Sequence, residues 1–415
     1  MTKNLRVGAL QLTAHDRAAF ESGAVNLREQ VEQAAQACDL LVLPEGTFPA
    51  YVLGADDVDT RHVDAALEEL RSVARLHGCV IVAGAAMRQR GDLFNSAVVI
   101  DADGTIAGTA EKIFLWHFDR KWFAPGMRIE PIETRAGRLG VMICADGRMP
   151  AIAQTLVDRG AELLVMPTAW VTSGRDPLRL ENIQADLLAR VRARENNVPF
   201  VAANKCGTER GMVLYCGKSQ IVDASGEIVA MAPEREPAFV HASLTLNAPR
   251  PYRVPLPAVS PVAPAQGFER VAFSLDGGLT AQTLAILDAD VALTASDDAC
   301  IDASLAYDPR TLIAFRNAGH RRIALRVGGD GAAFESIARA RAAELRLYLI
   351  VFDPSRDRAY AVDPDGTIVA GTFGDFRIAS VAIDYRRTNE TSVAPGTDVE
   401  RGLRDVAAIA QGARA

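Results

Sequence analysis

Gly137-Arg138-Leu139-Gly140-Val141-Met142-Ile143-Cys144-Ala145-Asp146-Gly147-Arg148 is the stretch whose reading decides the fold. Its apolar first half reads as a strand that ends at a cysteine. A polar turn follows, and then a helical stretch from about Pro150 to Arg159. A strand that hands over to a helix at a nucleophile-type side chain is the layout of an α/β layered domain. There the backbone N–H groups after the turn can stabilise negative charge that develops on a substrate oxygen. The usual fate of a cysteine, burial as a small hydrophobe, competes with this reading.

The surrounding chain keeps the same alternation. Leu5-Arg6-Val7-Gly8-Ala9-Leu10-Gln11-Leu12, Leu40-Leu41-Val42-Leu43-Pro44, Cys79-Val80-Ile81-Val82-Ala83-Gly84 and Leu163-Leu164-Val165-Met166-Pro167 read as buried strands. Residues 24–37 and about 178–196 read as helices from their apolar spacing. Six prolines crowd residues 249–264, which read as a semi-rigid linker between a domain at 1–248 and a second region at 265–400, with a tail at 401–415.

That second region echoes the first. Val141-Met142-Ile143-Cys144-Ala145-Asp146-Gly147 has a likeness in Val271-Ala272-Phe273-Ser274-Leu275-Asp276-Gly277, and Ala189–Glu195 has one in Ala338–Glu344. Val222–Ala230 is matched by Val362–Ala370 in the same order. The expectation is a smaller, degenerate α/β half-repeat, a partial copy of the back half of the first domain, in which Ser274 stands where the cysteine was.

The bulk composition narrows the class. With 49% hydrophobic and 23% charged residues in 415, the chain reads as globular, and a net charge of −7 without a basic stretch argues against a nucleic-acid surface. Six cysteines at 38, 79, 144, 206, 216 and 300 include no C-x-x-C spacing. Neither a disulfide framework nor a metal site is expected, and no cofactor. No apolar run approaches the roughly 20 residues of a membrane helix, and no leader-like apolar segment opens the chain, so the expectation is a cytoplasmic protein without a membrane partner.

Two further residues give Cys144 a chemical context. Glu45, in Pro44-Glu45-Gly46-Thr47, follows an apolar strand at the end where α/β active sites gather, and can act as a general base if burial lifts its pKa. Lys112, in Glu111-Lys112-Ile113-Phe114-Leu115-Trp116, puts an amine among apolar neighbours, where it is costly unless paired or working. A capping or solvent-facing glutamate and a snorkelling lysine are the plain alternatives.

Together with Phe123-Ala124-Pro125-Gly126, Pro167-Thr168-Ala169-Trp170, Arg192-Ala193-Arg194-Glu195-Asn196-Asn197 and Ala203-Asn204-Lys205-Cys206-Gly207, these motifs resemble the nitrilase, or carbon–nitrogen hydrolase, superfamily. The resemblance covers residues 5–245 nearly continuously. It implies an α-β-β-α sandwich and a Glu-Lys-Cys triad, carried over onto Glu45, Lys112 and Cys144. Glu45 would take the thiol proton and later activate water, while Lys112 and the Ala145 N–H would hold the oxyanion of a thioester-forming reaction.

Many members carry a second glutamate shortly after the lysine. Asp119, one methylene shorter, stands there in this chain. Nitrile-cleaving members usually place Trp-Glu after the cysteine. Ala145-Asp146-Gly147-Arg148 is instead similar to the amidase and carbamoylase branches, so a small amide or N-carbamoyl (ureido) substrate is expected, with nitriles as the alternative.

Trp170 and His117 are the expected substrate-binding residues, with Trp116 and Trp122 nearby, in a pocket shaped by loops at 46–60, 116–130 and 168–180. A non-catalytic scaffold is the alternative from another class, expected for residues 265–400 rather than 1–248. A homo-oligomer is possible in such a family, and the second region is expected to modify it.

Overall fold

A computed structural model describes residues 3–412 apart from 55–57, 175, 177 and 330, and leaves aside the side chain of 332. Parts of the 46–60 and 168–180 loops and the end of the 401–415 tail therefore lie outside the described residues. The chain divides into two compact units, 1–251 with 402–415, and 252–401.

Unit 1 contains strands β1 (Lys3–Thr13), β2 (Leu40–Val42), β3 (Val80–Gln89), β4 (Asp92–Ile100), β5 (Ile106–Glu111), β6 (Ile132–Thr134) and β7 (Gly137–Val141). They continue with β8 (Leu163–Pro167), β9 (Phe200–Ala203), β10 (Lys205–Glu209), β11 (Val213–Cys216), β12 (Gln220–Val222), β13 (Ile228–Met231) and β14 (Ala238–Leu246). Its helices are α1 (Arg17–Glu21), α2 (Arg28–Ala37), α3 (Arg61–His77), α4 (Pro150–Asp158) and α5 (Ala189–Asn196).

One sheet runs β11-β10-β1-β2-β3-β4-β5 with β14 also on β1, and the other runs β13-β12-β9-β8-β7-β6. Contacts of β1 and β2 with β8, β9 and β12 place the sheets face to face. Helices α2 and α3 cover the first sheet, with Val31, Ala34, Val63, Leu67 and Leu70 buried on Leu41, Leu43, Ile81 and Val98. Helices α4 and α5 cover the second. This is the expected α-β-β-α sandwich, and the reason is visible in the pattern. The central strands β2, β8 and β9 are buried at every position, so both of their faces need a covering layer.

The helix expected from about 178 begins only near 183. Gln184–Leu188 forms a wider π turn that runs into α5, and described residues among 178–182 are not helical. Asn182 supplies the start instead, its side-chain oxygen accepting from the Gln184 N–H.

Unit 2 contains β15 (Phe268–Ser274), α6 (Ala281–Ile286), β16 (Val291–Thr294), β17 (Cys300–Asp302), α7 (Pro309–Asn317), β18 (Arg322–Arg326) and α8 (Gly331–Leu345). It ends with β19 (Tyr348–Asp353), β20 (Arg358–Val362), β21 (Ile368–Gly371), β22 (Ile378–Asp384) and α9 (Tyr385–Asn389). The expected linker is no free tether over its whole length. Val254 N donates to Asp308 and Val262 N to the Ala318 carbonyl, which straps residues after 251 onto unit 2. Nor is the stretch from 401 a loose tail. Helix α10 (Val399–Ala410) returns its later turns to unit 1, where a Cβ on Gly402 would come within 2.3 Å of the Phe114 ring.

The internal likeness needs a different register from the one expected. Val271–Ser274 does not occupy the place of the strand before Cys144. Strand β15 pairs parallel with β16 and antiparallel with β22, which is how β1 pairs with β2 and β14. Arg6 N donates to Asp39 Oδ2 and Asp39 N to Arg6 O, and Arg270 and Asp290 repeat both bonds.

The order β17-β18-β19-β20-β21 follows that of β7-β8-β9-β12-β13, and both have a register shift where the fourth and fifth strands pair. A 3-10 turn, Ala303–Tyr307, precedes α7 as the 3-10 turn Cys144–Arg148 precedes α4, each helix opening on a proline. By strand order and turn type, Ala303 rather than Ser274 stands in unit 2 where Cys144 stands in unit 1. Short apolar strands look alike, and only their pairing partners separate a first strand from a fifth.

Candidate active site

Glu45 is delivered by β2. Past Val42 the chain lies so close to β3 that a Cβ on Gly84 would stand 2.3 Å from the Pro44 carbonyl oxygen and 2.5 Å from Glu45 Cα. The Glu45 side chain is fully buried. Its Oε1 accepts from Lys112 Nζ at 2.7 Å and from Asn95 Nδ2 at 2.7 Å, whereas Oε2 has no hydrogen-bond partner.

Lys112 directly follows β5 and is held by its own N–H on the Asn95 carbonyl. Nζ makes a second ion pair with Asp119 Oδ2 at 2.6 Å, and no part of either side chain is exposed. Burial acts to lower the lysine pKa. The carboxylates of Asp119 and Glu45 outweigh it and hold the ammonium well above its ordinary value. The ring of Tyr51 lies 5.8 Å from Nζ.

Cys144 opens the 3-10 turn with φ +44°, a left-handed conformation that costs a non-glycine residue about 1–3 kcal/mol. Two features hold it there. Asp146 accepts from the Ile143 N–H with Oδ2 and from the Ile113 and Phe114 N–H groups with Oδ1, lashing the turn to the Lys112 segment. Arg192 Nε donates to the Gly147 carbonyl while Nη1 pairs with Glu195 at 2.7 Å, all of it buried. Burial, and then the charge of Glu45, push the thiol up to about 12, with Lys112 pulling the other way. At neutral pH the sulfur therefore carries its proton, and a base must remove it. Burial likewise lifts Asp146 to about 7, against the backbone N–H groups that favour its charge.

The structure gathers Glu45, Lys112 and Asp119 by direct contact, and places the charges of Glu45 and Lys112 where they act on Cys144. Ala145 is buried in the same turn. The aromatic candidates separate. Trp170 is almost wholly buried, and its backbone N–H donates to Asn204 Oδ1. His117 is exposed at the start of a 3-10 turn, and its ring meets Phe118. Phe118, not His117, reaches Tyr51, with ring centres 5.3 Å apart, and Trp122 packs on Phe118. Trp116 is stacked under the Arg148 guanidinium.

The sequence reading missed Asn95, Tyr51, Asp146 and Tyr215. Asp146 alone had a signal, a carboxylate one turn into a 3-10 segment after a strand. Asn95 and Tyr215 come from strands remote in sequence, and Tyr51, six residues after Glu45, is brought back only by the fold of its loop. Among the described residues no group of three or more His, Cys, Asp or Glu could hold a metal ion, and no described helix is long and apolar enough to cross a membrane.

Residues 6–254 match the family described as carbon-nitrogen hydrolase. A nitrilase from Pyrococcus abyssi is 32% identical over 230 residues, 54% of this chain and 83% of its own length. A probable nitrilase from Schizosaccharomyces pombe is 32% identical over 166 residues, 40% of this chain, which spans 58% of that relative. Among solved structures, an amidase from Nesterenkonia sp. superposes with a TM-score of 0.51 at 26% identity, covering 58% of this chain and 90% of the other.

Proposed function

The chain belongs to the carbon-nitrogen hydrolase family, and from that premise we propose that unit 1 hydrolyses a small amide or N-carbamoyl compound through Cys144. The observation that carries the reading is the unpartnered Oε2 of Glu45, buried beside a carboxylate-bound Lys112. A buried oxygen without a donor is poised to accept one proton, and the thiol of Cys144 has one to give.

The thiol proton passes to Glu45 as sulfur attacks the carbonyl carbon. Lys112 and the N–H of Ala145 stabilise the oxyanion. Collapse breaks the C–N bond, and the leaving nitrogen takes the proton from Glu45 and departs as ammonia or amine. Water, deprotonated by Glu45, then cleaves the thioester to release the acid and the thiol. Asp119, on the far side of Nζ, keeps the lysine charged and aimed. Ala145 after the cysteine favours amide and ureido substrates over nitriles.

Unit 2 is read as a shortened, non-catalytic relative of unit 1. What supports this is the shared strand order together with Ala303 in the cysteine's place. Only residues 295–299 separate β16 from β17, where unit 1 carries α3 and the strands that bring Glu45 and Lys112 together.

The test is ammonia and amine release from a panel of amides, N-carbamoyl compounds and nitriles, with wild type and Cys144→Ala. Turnover of an amide or ureido compound that disappears in the variant supports the reading. Activity that survives, or turnover of nitriles alone, sinks it.

A further inference from the structure

A second buried ionic cluster stands beside the triad and has no part in the chemistry just described. The hairpin of β10 and β11 carries Lys205, Glu209 and Tyr215, all essentially without exposure. Lys205 Nζ donates to the Gly46 carbonyl at 2.8 Å and to Glu209 Oε2 at 3.2 Å. The Tyr215 hydroxyl donates to the same Oε2 at 2.7 Å, and the N–H of Val52 donates to Oε1 at 2.6 Å. The Tyr215 ring lies 5.4 Å from the Lys205 ammonium.

Filling space does not explain this cluster. An apolar pair of similar volume would occupy the same place without the cost of taking two charges out of water. What the charges touch is specific. Lys205 holds residue 46 and Glu209 holds residue 52, the two ends of the loop that leaves Glu45. Gly46 sits at φ +55°, and a Cβ there would stand 2.6 Å from Tyr51 Cα, so the loop doubles back tightly on itself. The doubling brings the Tyr51 ring beneath Lys112. One cluster thus grips the residue after the general base and the residue after the ring that backs the lysine.

The comparison within the chain agrees. Between β19 and β20 of unit 2, the place of this hairpin is taken by the single turn Pro354–Arg356. Unit 2, which lacks counterparts of Glu45 and Lys112, also lacks the cluster.

We propose that Lys205 and Glu209, with Tyr215, are positioning residues that fix Glu45 and Tyr51 against Lys112. This rests on the amide-hydrolase reading of the triad. A displacement of the order of 1 Å in a reacting group costs about 100-fold in rate, so the network acts on turnover rather than on substrate affinity.

The experiment compares Glu209→Gln, the double variant Lys205→Met/Glu209→Gln, and Tyr215→Phe in the full chain. Two readouts are taken: kcat and KM for propionamide or whichever panel amide the wild type hydrolyses best, and the rate at which iodoacetamide alkylates Cys144 at pH 7, followed by mass spectrometry. The expected result for the folded charge variants is a kcat lowered about 30- to 100-fold with KM within threefold, and a parallel drop in alkylation, because Glu45 must take the thiol proton in both.

A double variant that melts within a few degrees of wild type and keeps its kcat and alkylation rate overturns the proposal, leaving the pair as core filling. If neither charge variant folds, Tyr215→Phe, which retains both charges, decides. A three- to tenfold loss of kcat at constant KM supports the assignment, and wild-type turnover overturns it. If wild type hydrolyses no amide, the amide reading fails on its own, and the alkylation rates still decide the positioning role.

Discussion

The turns at 144–148 and 303–307 are built alike. In the first, Arg192 Nε donates to the carbonyl three residues past Cys144, and its Nη1 pairs with Glu195. In the second, Arg341 Nε donates to the carbonyl three residues past Ala303, and its Nη1 pairs with Glu344 at the same 2.7 Å. Farther along, Arg190 and Arg339 each cap the carbonyl of a turn glycine, Gly226 and Gly366.

The units differ in what faces the turn. Unit 1 brings Glu45 just past β2 and Lys112 just past β5, with the β10–β11 hairpin behind them. Among its described residues unit 2 has β16 paired as β2 is, but no strands in the place of β3 to β5 and no hairpin in the place of β10–β11. The buried arginine–glutamate pair thus recurs at a turn that carries alanine where the first carries cysteine.

That separation can be broken by experiment. The largest expected effect is Cys144→Ala, which should lower amide turnover about 10⁴-fold or more, with no residual activity from unit 2. Ala303→Cys in that background should restore nothing, and recovered turnover would show that unit 2 holds a working site. Next, Glu45→Gln should lower kcat by about 10²- to 10⁴-fold while the protein stays folded, since Lys112 keeps Asp119. A circular dichroism melt alongside the assay separates the two effects.

The arginine device should cost stability wherever it is cut. Arg192→Ala and Arg341→Ala each leave a buried glutamate without its partner and should each destabilise by about 3–5 kcal/mol in urea unfolding. Of the two, Arg192→Ala should depress turnover beyond its effect on stability. Equal losses of turnover would mean that the turns are coupled and the comparison fails.

The smallest effect is in the pH dependence of stability. Cys144 titrates near 12 when folded against an unfolded value of 9.0. Its contribution is complete below about 9 and is lost as pH rises toward 12, because the unfolded state gives up the proton first. Cys144→Ala should flatten the alkaline limb of a stability–pH curve. Cys216, also raised to about 12 by burial, keeps part of the slope. An unchanged limb would argue that the thiol is less buried than the structure has it.

Much of the site was legible once the family resemblance was in view. Glu45 and Cys144 stand at the ends of apolar strands, but it is the resemblance that singles them out with Lys112 and marks the position of Asp119. The half-repeat was legible as likeness but not as register. Val271–Ser274 and Val141–Cys144 are both apolar strands ending in a small polar residue, and only hydrogen-bonded neighbours tell β15 from β7. His117, expected to bind substrate, sits at φ +46° with its ring at the surface, and its neighbour Phe118 reaches Tyr51 instead.

Local order in the chain therefore determined the α/β alternation, because period and burial act over a few positions, while the layered sandwich and the triad came from the resemblance of several motifs to the carbon–nitrogen hydrolase superfamily. Tertiary structure alone decided which oxygen of Glu45 lacks a partner, and that Asn95 holds the other. It decided that Lys205 and Glu209 reach across some 160 positions to the loop after Glu45. It also decided that Ala303, and not Ser274, opens the turn of unit 2 that is built like the one at Cys144. These depend on which strands pair and which buried charges find one another, and no residue's neighbours in sequence carry that information.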